Sequence, residues 1–133
     1  LKGSIMEQFH SMFSLSGRMN RRSFFINMLI VFAIGFVGGF IMGFSGYSML
    51  SILIGAPFIL IAMVREIAIA ARRIHDLNGP TFLAFIYIVL GILAVWSREI
   101  GWLVLASKII LCLIPGNKGL NSYGDKPENR IIF

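Results

Sequence analysis

Residues 24–44 contain no charged side chain, and that one run limits what the chain can become. As a helix rising about 1.5 Å per residue it is about 30 Å long, the thickness of a bilayer's hydrocarbon core. Three more apolar runs follow, at 49–64, 81–96 and 100–114. Apolar residues make up 57% of the chain and charged residues 14%, with a mean hydropathy of +0.84. A soluble domain needs more charge than this to cover its surface. The expectation is an all-α, polytopic membrane helix bundle: a single membrane domain over residues 1–133, with transmembrane helices at 24–44, 47–71, 80–96 and 100–114. The last two runs are short, at roughly 22–25 Å. They either cross a thinned bilayer or form a hairpin that crosses only partly.

The flanks are polar. Residues 1–23 suit a short interfacial helix. Met6 is a candidate start, which would make residues 1–5 an upstream remnant. No cleavable leader is expected, because the first apolar run outlasts a signal h-region and no small-residue cleavage site follows it. The second helix is expected to bend at Pro57. It is expected to leave the bilayer in its last turns and to end at Asn78, Gly79 and Pro80. Residues 115–133, with Pro115, Gly116, Gly119, Asn121, Gly124 and Pro127, read as a turn-rich tail.

Gly35, Gly39 and Gly43 recur every four residues in the first run. Small residues at that spacing let a neighbouring backbone approach closely. The expected neighbour is the second helix, through Ser48, Ser51 and Gly55, with a dimer seam as the alternative. An oligomer is therefore compatible with the sequence.

The basic residues are unevenly placed. Lys2, Arg18, Arg21 and Arg22 precede the first run, Arg65, Arg72 and Arg73 follow the second, and Lys118, Lys126 and Arg130 follow the fourth: ten of the twelve on one side. Only Arg98 falls opposite, and Lys108, inside the fourth run, is expected to snorkel toward the tail side. The positive-inside rule puts that crowded side, with both termini, in the cytoplasm. The net charge of +6 and pI of 10.1 then reflect topology and anionic lipid headgroups, not nucleic acid. Cys112 is the only cysteine, and His10 and His75 are far apart. No intrachain disulfide, metal site or cofactor is expected.

Three polar blocks share the crowded side. The first runs Phe13-Ser14-Leu15-Ser16-Gly17-Arg18-Met19-Asn20-Arg21-Arg22-Ser23-Phe24-Phe25. The second is Ala71-Arg72-Arg73-Ile74-His75-Asp76. The third is Ile114-Pro115-Gly116 with Asn121, Tyr123, Gly124 and Pro127. In order and spacing they resemble the family of small bacterial inner membrane proteins known as domain of unknown function 805. The resemblance covers roughly residues 9–127. It implies a multi-helix fold in the bacterial inner membrane, and no reaction. The family often opens its third helix on an aromatic pair, where this chain has Gly79-Pro80-Thr81-Phe82.

Together the blocks suggest one cluster of Arg18, Arg21, Arg22, Arg72, Arg73, His75, Asp76, Asn121 and Tyr123. Arg72 and Asp76, four apart on a helix, are expected to pair, and Arg65 and Arg72 to share a face. The preferred reading is a structural latch in which arginines bond the backbone of the turns. The alternative is a site for an anionic group, a lipid headgroup among them. Catalysis by His75 oriented by Asp76 ranks behind both. Arg65 and Glu66 are expected at the membrane interface, and would be functional groups if deeper. The function expected is a non-enzymatic membrane module contacting membrane lipids, with an anionic lipid headgroup or a protein partner as the alternatives for what it binds. A small oligomeric transporter or a lipid-modifying enzyme stands as the alternative.

Overall fold

The computed structural model describes residues 2–133. Leu1 and the Lys2 side chain, both used in the readings above, lie outside it. Five helices form the described chain, and it contains no strand: α1 (Lys2–Met12), α2 (Arg21–Phe44), α3 (Met49–Asp76), α4 (Phe82–Leu93) and α5 (Arg98–Leu113).

Local chemistry sets the boundaries. Asn20 caps α2, its side chain accepting from the Ser23 amide at 2.7 Å, so the helix begins at Arg21, ahead of the apolar run. Gly46 and Tyr47 both have positive φ, 63° and 61°, and form the turn into α3. Ser48 caps that helix, so it begins at Met49 and not at 47. From there α3 runs unbroken through Pro57 to Asp76. Asn78, at φ 61°, closes it: its amide bonds the His75 carbonyl at 2.9 Å, and the Gly79 amide bonds the Ile74 carbonyl at 2.9 Å. This is a Schellman motif with asparagine in the left-handed position. Ser97 caps α5.

α2 and α3 share the longest interface, and α3 with α4, α4 with α5, and α5 with α2 complete the bundle. The close approach in the α2–α3 pair is at Gly38 and Gly55. A Cβ on Gly38 would lie 2.9 Å from the Gly55 carbonyl oxygen and 2.9 Å from Phe58 Cβ. A Cβ on Gly55 would run into Met42. Of the expected stripe only Gly35 faces α3, where its Cβ would be 3.8 Å from that of Ala62, while a Cβ on Gly39 would meet nothing. The reason is helical drift. With about 3.6 residues per turn, steps of four residues rotate about 40° each, so the contact line follows 35, 38 and 42.

Burial is concentrated at one end. Residues 68–76 of α3 are buried without interruption. One apolar cluster there joins Ala70, Ala71, Ile74, Ala84, Tyr87 and Val104, and another joins Met19, Phe24, Val31, Ala62 and Ile69. The other end is inverted. Phe32, Phe36, Phe40 and Phe44 are 72%, 63%, 60% and 81% exposed along one ridge of α2. Only 22% of the most apolar window of α2, and 28% of that of α3, is buried. A soluble protein's core helix would be mostly covered. These two helices are long and apolar enough to cross a membrane, which associates the chain with one.

Candidate functional site

The start of α2, the end of α3, the start of α4 and the end of α5 converge at the buried end, where the N-terminal segment and the tail join them. Asp76 is the hub. Its Oδ1 accepts from Arg18 Nε at 3.0 Å and lies 2.9 Å from Arg18 Nη2, and its Oδ2 accepts from Arg73 Nη1 at 2.5 Å. Both guanidinium groups then spread over backbone. Arg18 donates to the carbonyls of Gly119 at 2.6 Å, Gly124 at 3.0 Å and Asn117 at 2.7 Å. Arg73 donates to Leu111 at 2.7 Å, to Met19 at 3.2 Å and to Ile114. Every nitrogen of both groups is engaged. The planar five-donor fork of arginine makes this possible, and no other side chain could replace it.

The same bonds complete a helix end. The last carbonyls of an α-helix have no partner within it. In α5, Arg73 takes Leu111 and Arg21 takes Leu113, the latter at 3.0 Å. The backbone that passes Asp76 must be glycine, because a Cβ on Gly116 would overlap the carboxylate. The Asn117 amide beside it bonds the Asp76 carbonyl at 2.8 Å.

His75 lies on a different side of the helix from the carboxylate. Its Nδ1 is 2.9 Å from the Gly17 carbonyl oxygen and its Nε2 is 2.7 Å from Thr81 Oγ1. A carbonyl only accepts, so Nδ1 carries the proton and Nε2 accepts from the threonine hydroxyl. Tyr123 stacks on the ring at 3.8 Å between centroids, and Asn121 donates to the His75 carbonyl at 2.9 Å. Burial pushes the imidazole below its usual pKa, and the bond to Gly17 offsets this only in part.

The nine cluster residues therefore divide. Arg18, Arg73 and Asp76 form the ionic centre, with His75, Asn121 and Tyr123 beside it. Arg72 does not pair with Asp76. That carboxylate is taken by Arg73, three residues before it, and by Arg18, while Arg72 donates to the carbonyls of Ser11 at 3.2 Å and Phe133 at 3.3 Å. Arg65 shares that face and donates to Met12 and to the Asn27 side chain. Arg21 reaches only the end of α5, and Arg22 is exposed at the rim.

Several contributors gave no sequence signal. Thr81 stands where the family pattern has an aromatic residue. Gly116 belongs to a quoted block but carries no chemistry of its own. Lys108 does not reach for the tail side: it lies 3.0 Å from Glu66 Oε1, which also accepts from Tyr87 Oη at 2.8 Å. Nothing local in sequence links Glu66, Tyr87 and Lys108. Asn27, which accepts from Arg65, is the lone polar side chain of the apolar run 24–44.

The chain belongs to the family described as Protein of unknown function (DUF805), which it matches over residues 12–125. That span contains both the ionic centre and the His75 assembly. No curated protein and no solved structure matches the chain.

Proposed function

We propose that this chain is an integral protein of the bacterial inner membrane. Four helices, α2 to α5, enter the bilayer, and both termini are cytoplasmic. Its three polar blocks act as a structural latch, and the molecule works as a non-enzymatic membrane module. The observation that carries the latch reading is the saturation of Arg18 and Arg73. A site kept for a substrate leaves donors open, and here carbonyls from three segments and one carboxylate take them all. The His75 imidazole, engaged at both nitrogens, offers no free base to a lipid-modifying reaction.

The topology is supported by charge. The end that gathers Arg18, Arg21, Arg22, Arg72 and Arg73 is the one that faces the cytoplasm under the positive-inside rule. The second half of α3 lies inside protein at that end, so Arg65 need not meet lipid. With 12 and 16 residues, α4 and α5 are about 18 and 24 Å long. Those lengths favour a hairpin that enters without fully crossing, or a locally thinned bilayer.

A fluorescent-protein fusion at the C-terminus, paired with cysteine labelling at Ser97 in intact cells, tests this topology. Fluorescence at the C-terminus and labelling of Ser97→Cys from outside, or its protection within the bilayer, are expected. Labelling of a cysteine at Ser122 from outside would overturn it. A second reading, a small oligomeric transporter, draws on the Glu66, Lys108 and Tyr87 trio, since ionisable groups among membrane helices often line a path. Cross-linking in native membranes decides it: a strict monomer removes the shared cavity that such a transporter needs.

A further inference from the structure

Two grooves meet at the start of α2. The first, about 510 Å³, is lined by Arg21, Arg22, Lys118 and Lys126, with Asp76 also on its wall. The second, about 800 Å³, runs between α2 and α5. Its walls are apolar, with Phe25, Leu29 and Phe32 on one side and Leu105 and Ile109 on the other. Arg21 and Arg22 line both, so the two grooves adjoin at the start of α2. We propose that the two form one site for a glycerophospholipid with an anionic headgroup. Its phosphate lies among Arg22, Lys118 and Lys126, and an acyl chain lies along the α2–α5 crevice. This rests on the reading of the chain as a membrane protein.

Charge supplies the first argument. The latch consumes Arg18 and Arg73, but Arg22, Lys118 and Lys126 are exposed and make no ion pair among the described residues. Arg21 spends one nitrogen on the Leu113 carbonyl. Behind them stand four buried arginines, Arg18, Arg65, Arg72 and Arg73, against one buried carboxylate, Asp76. Carbonyl dipoles solvate these cations without cancelling their charge, so this end of the bundle is positive and draws anions. Cationic pockets between helices at the membrane surface hold anionic headgroups by this same balance.

Shape supplies the second. Phe25, Leu29 and Phe32 follow the four-then-three spacing of one helical face, and Leu105 and Ile109 are four apart on α5. From Phe25 to Phe32 the crevice descends about 10 Å along α2. Of the three cations on its wall, Arg21 and Arg22 are shared with the first groove, and Lys108 is held by Glu66 at 3.0 Å. A free phosphate would use the first groove and leave this crevice empty. An acyl chain fills it while its phosphate stays at the rim.

The test uses the full chain purified in a non-ionic detergent. Native mass spectrometry and thermal unfolding are followed with phosphatidylglycerol, with phosphatidylcholine of the same chains, and with inorganic phosphate. Phosphatidylglycerol is expected to stay bound and raise the Tm, phosphatidylcholine to bind far more weakly, and phosphate alone to give little. One basic residue at a membrane surface is worth about fivefold, so Arg22→Gln with Lys126→Gln should weaken phosphatidylglycerol about thirtyfold. Both are exposed and outside the latch, so the variant's own Tm should match wild type. Leu29→Trp, which fills the crevice, should lower lipid retention with the cations intact. Equal retention of the two lipids, or wild-type affinity in the double variant, overturns the proposal. So does full stabilisation by phosphate alone, or an intermolecular cross-link between Leu29 and Ile109 showing a second copy in the crevice. Alkaline carbonate extraction separates the two ideas. A chain released by carbonate fails the membrane reading, whereas one retained without lipid preference fails this proposal alone.

Discussion

Asp76 holds two guanidinium groups that have no other carboxylate partner among the described residues. Removing it leaves both buried and uncompensated, and breaking such a pair costs about 3–5 kcal/mol. Asp76→Ala is therefore expected to be lost as folded protein, measured by monodispersity in detergent and by Tm. Arg18→Lys should fare little better although the charge is kept, because one ammonium cannot span Asp76 and three separate carbonyls. His75 adds a pH dependence. Its folded-state pKa lies below the usual 6.5, so the unfolded chain binds the proton more readily. The stabilisation is thus fully present above about pH 6.5 and falls as the pH drops through that value toward the lower, folded one. A Tm profile from pH 8 to 5 should decline on the acid side, and His75→Asn should flatten that decline. The residue types of this centre were legible from the three blocks. Their partners were not: Asp76 has two arginines at helical spacing, and Arg73 is the one whose remaining donors meet the end of α5 and Met19 while Arg72 meets Ser11 and Phe133.

Three helices carry a local start signal, and α5 has a tertiary end. Asn20, Ser48 and Ser97 are caps readable in sequence, whereas the carbonyls at the end of α5 are closed by Arg21 and Arg73 from other helices. The α2–α3 seam is of the same mixed kind. A glycine-rich helix announces close packing, but its register depends on where the partner crosses. Gly38→Leu should force the helices apart at Gly55 and cost about 1–3 kcal/mol, as overpacking does. Gly39→Leu, on the open side, should stay within about 0.5 kcal/mol. The comparison is made by Tm in one detergent, and equal losses would mean the seam is misplaced.

At the scale of the molecule, the tail ties the ends together. Asn27 bonds the Ile132 carbonyl at 2.8 Å, Asn20 bonds those of Glu128 and Arg130 at 2.9 and 3.1 Å, and Arg18 holds Gly119 and Gly124. A chain truncated after Ile114 is expected to insert into membranes yet fail to give a monodisperse peak after extraction, since the apolar runs remain while the latch loses its acceptors. Recovery of that truncation at wild-type yield would show the tail to be dispensable. The apolar runs, the caps and the lopsided distribution of lysine and arginine were set by sequence alone, because each depends on a residue's own chemistry or on neighbours within a few positions. The hub at Asp76, the Glu66–Lys108 pair and the placing of a cationic groove beside an apolar crevice were decided only by tertiary structure. Those features need groups from different helices to meet, and a backbone carbonyl, the commonest acceptor in this latch, looks the same at every position of a sequence.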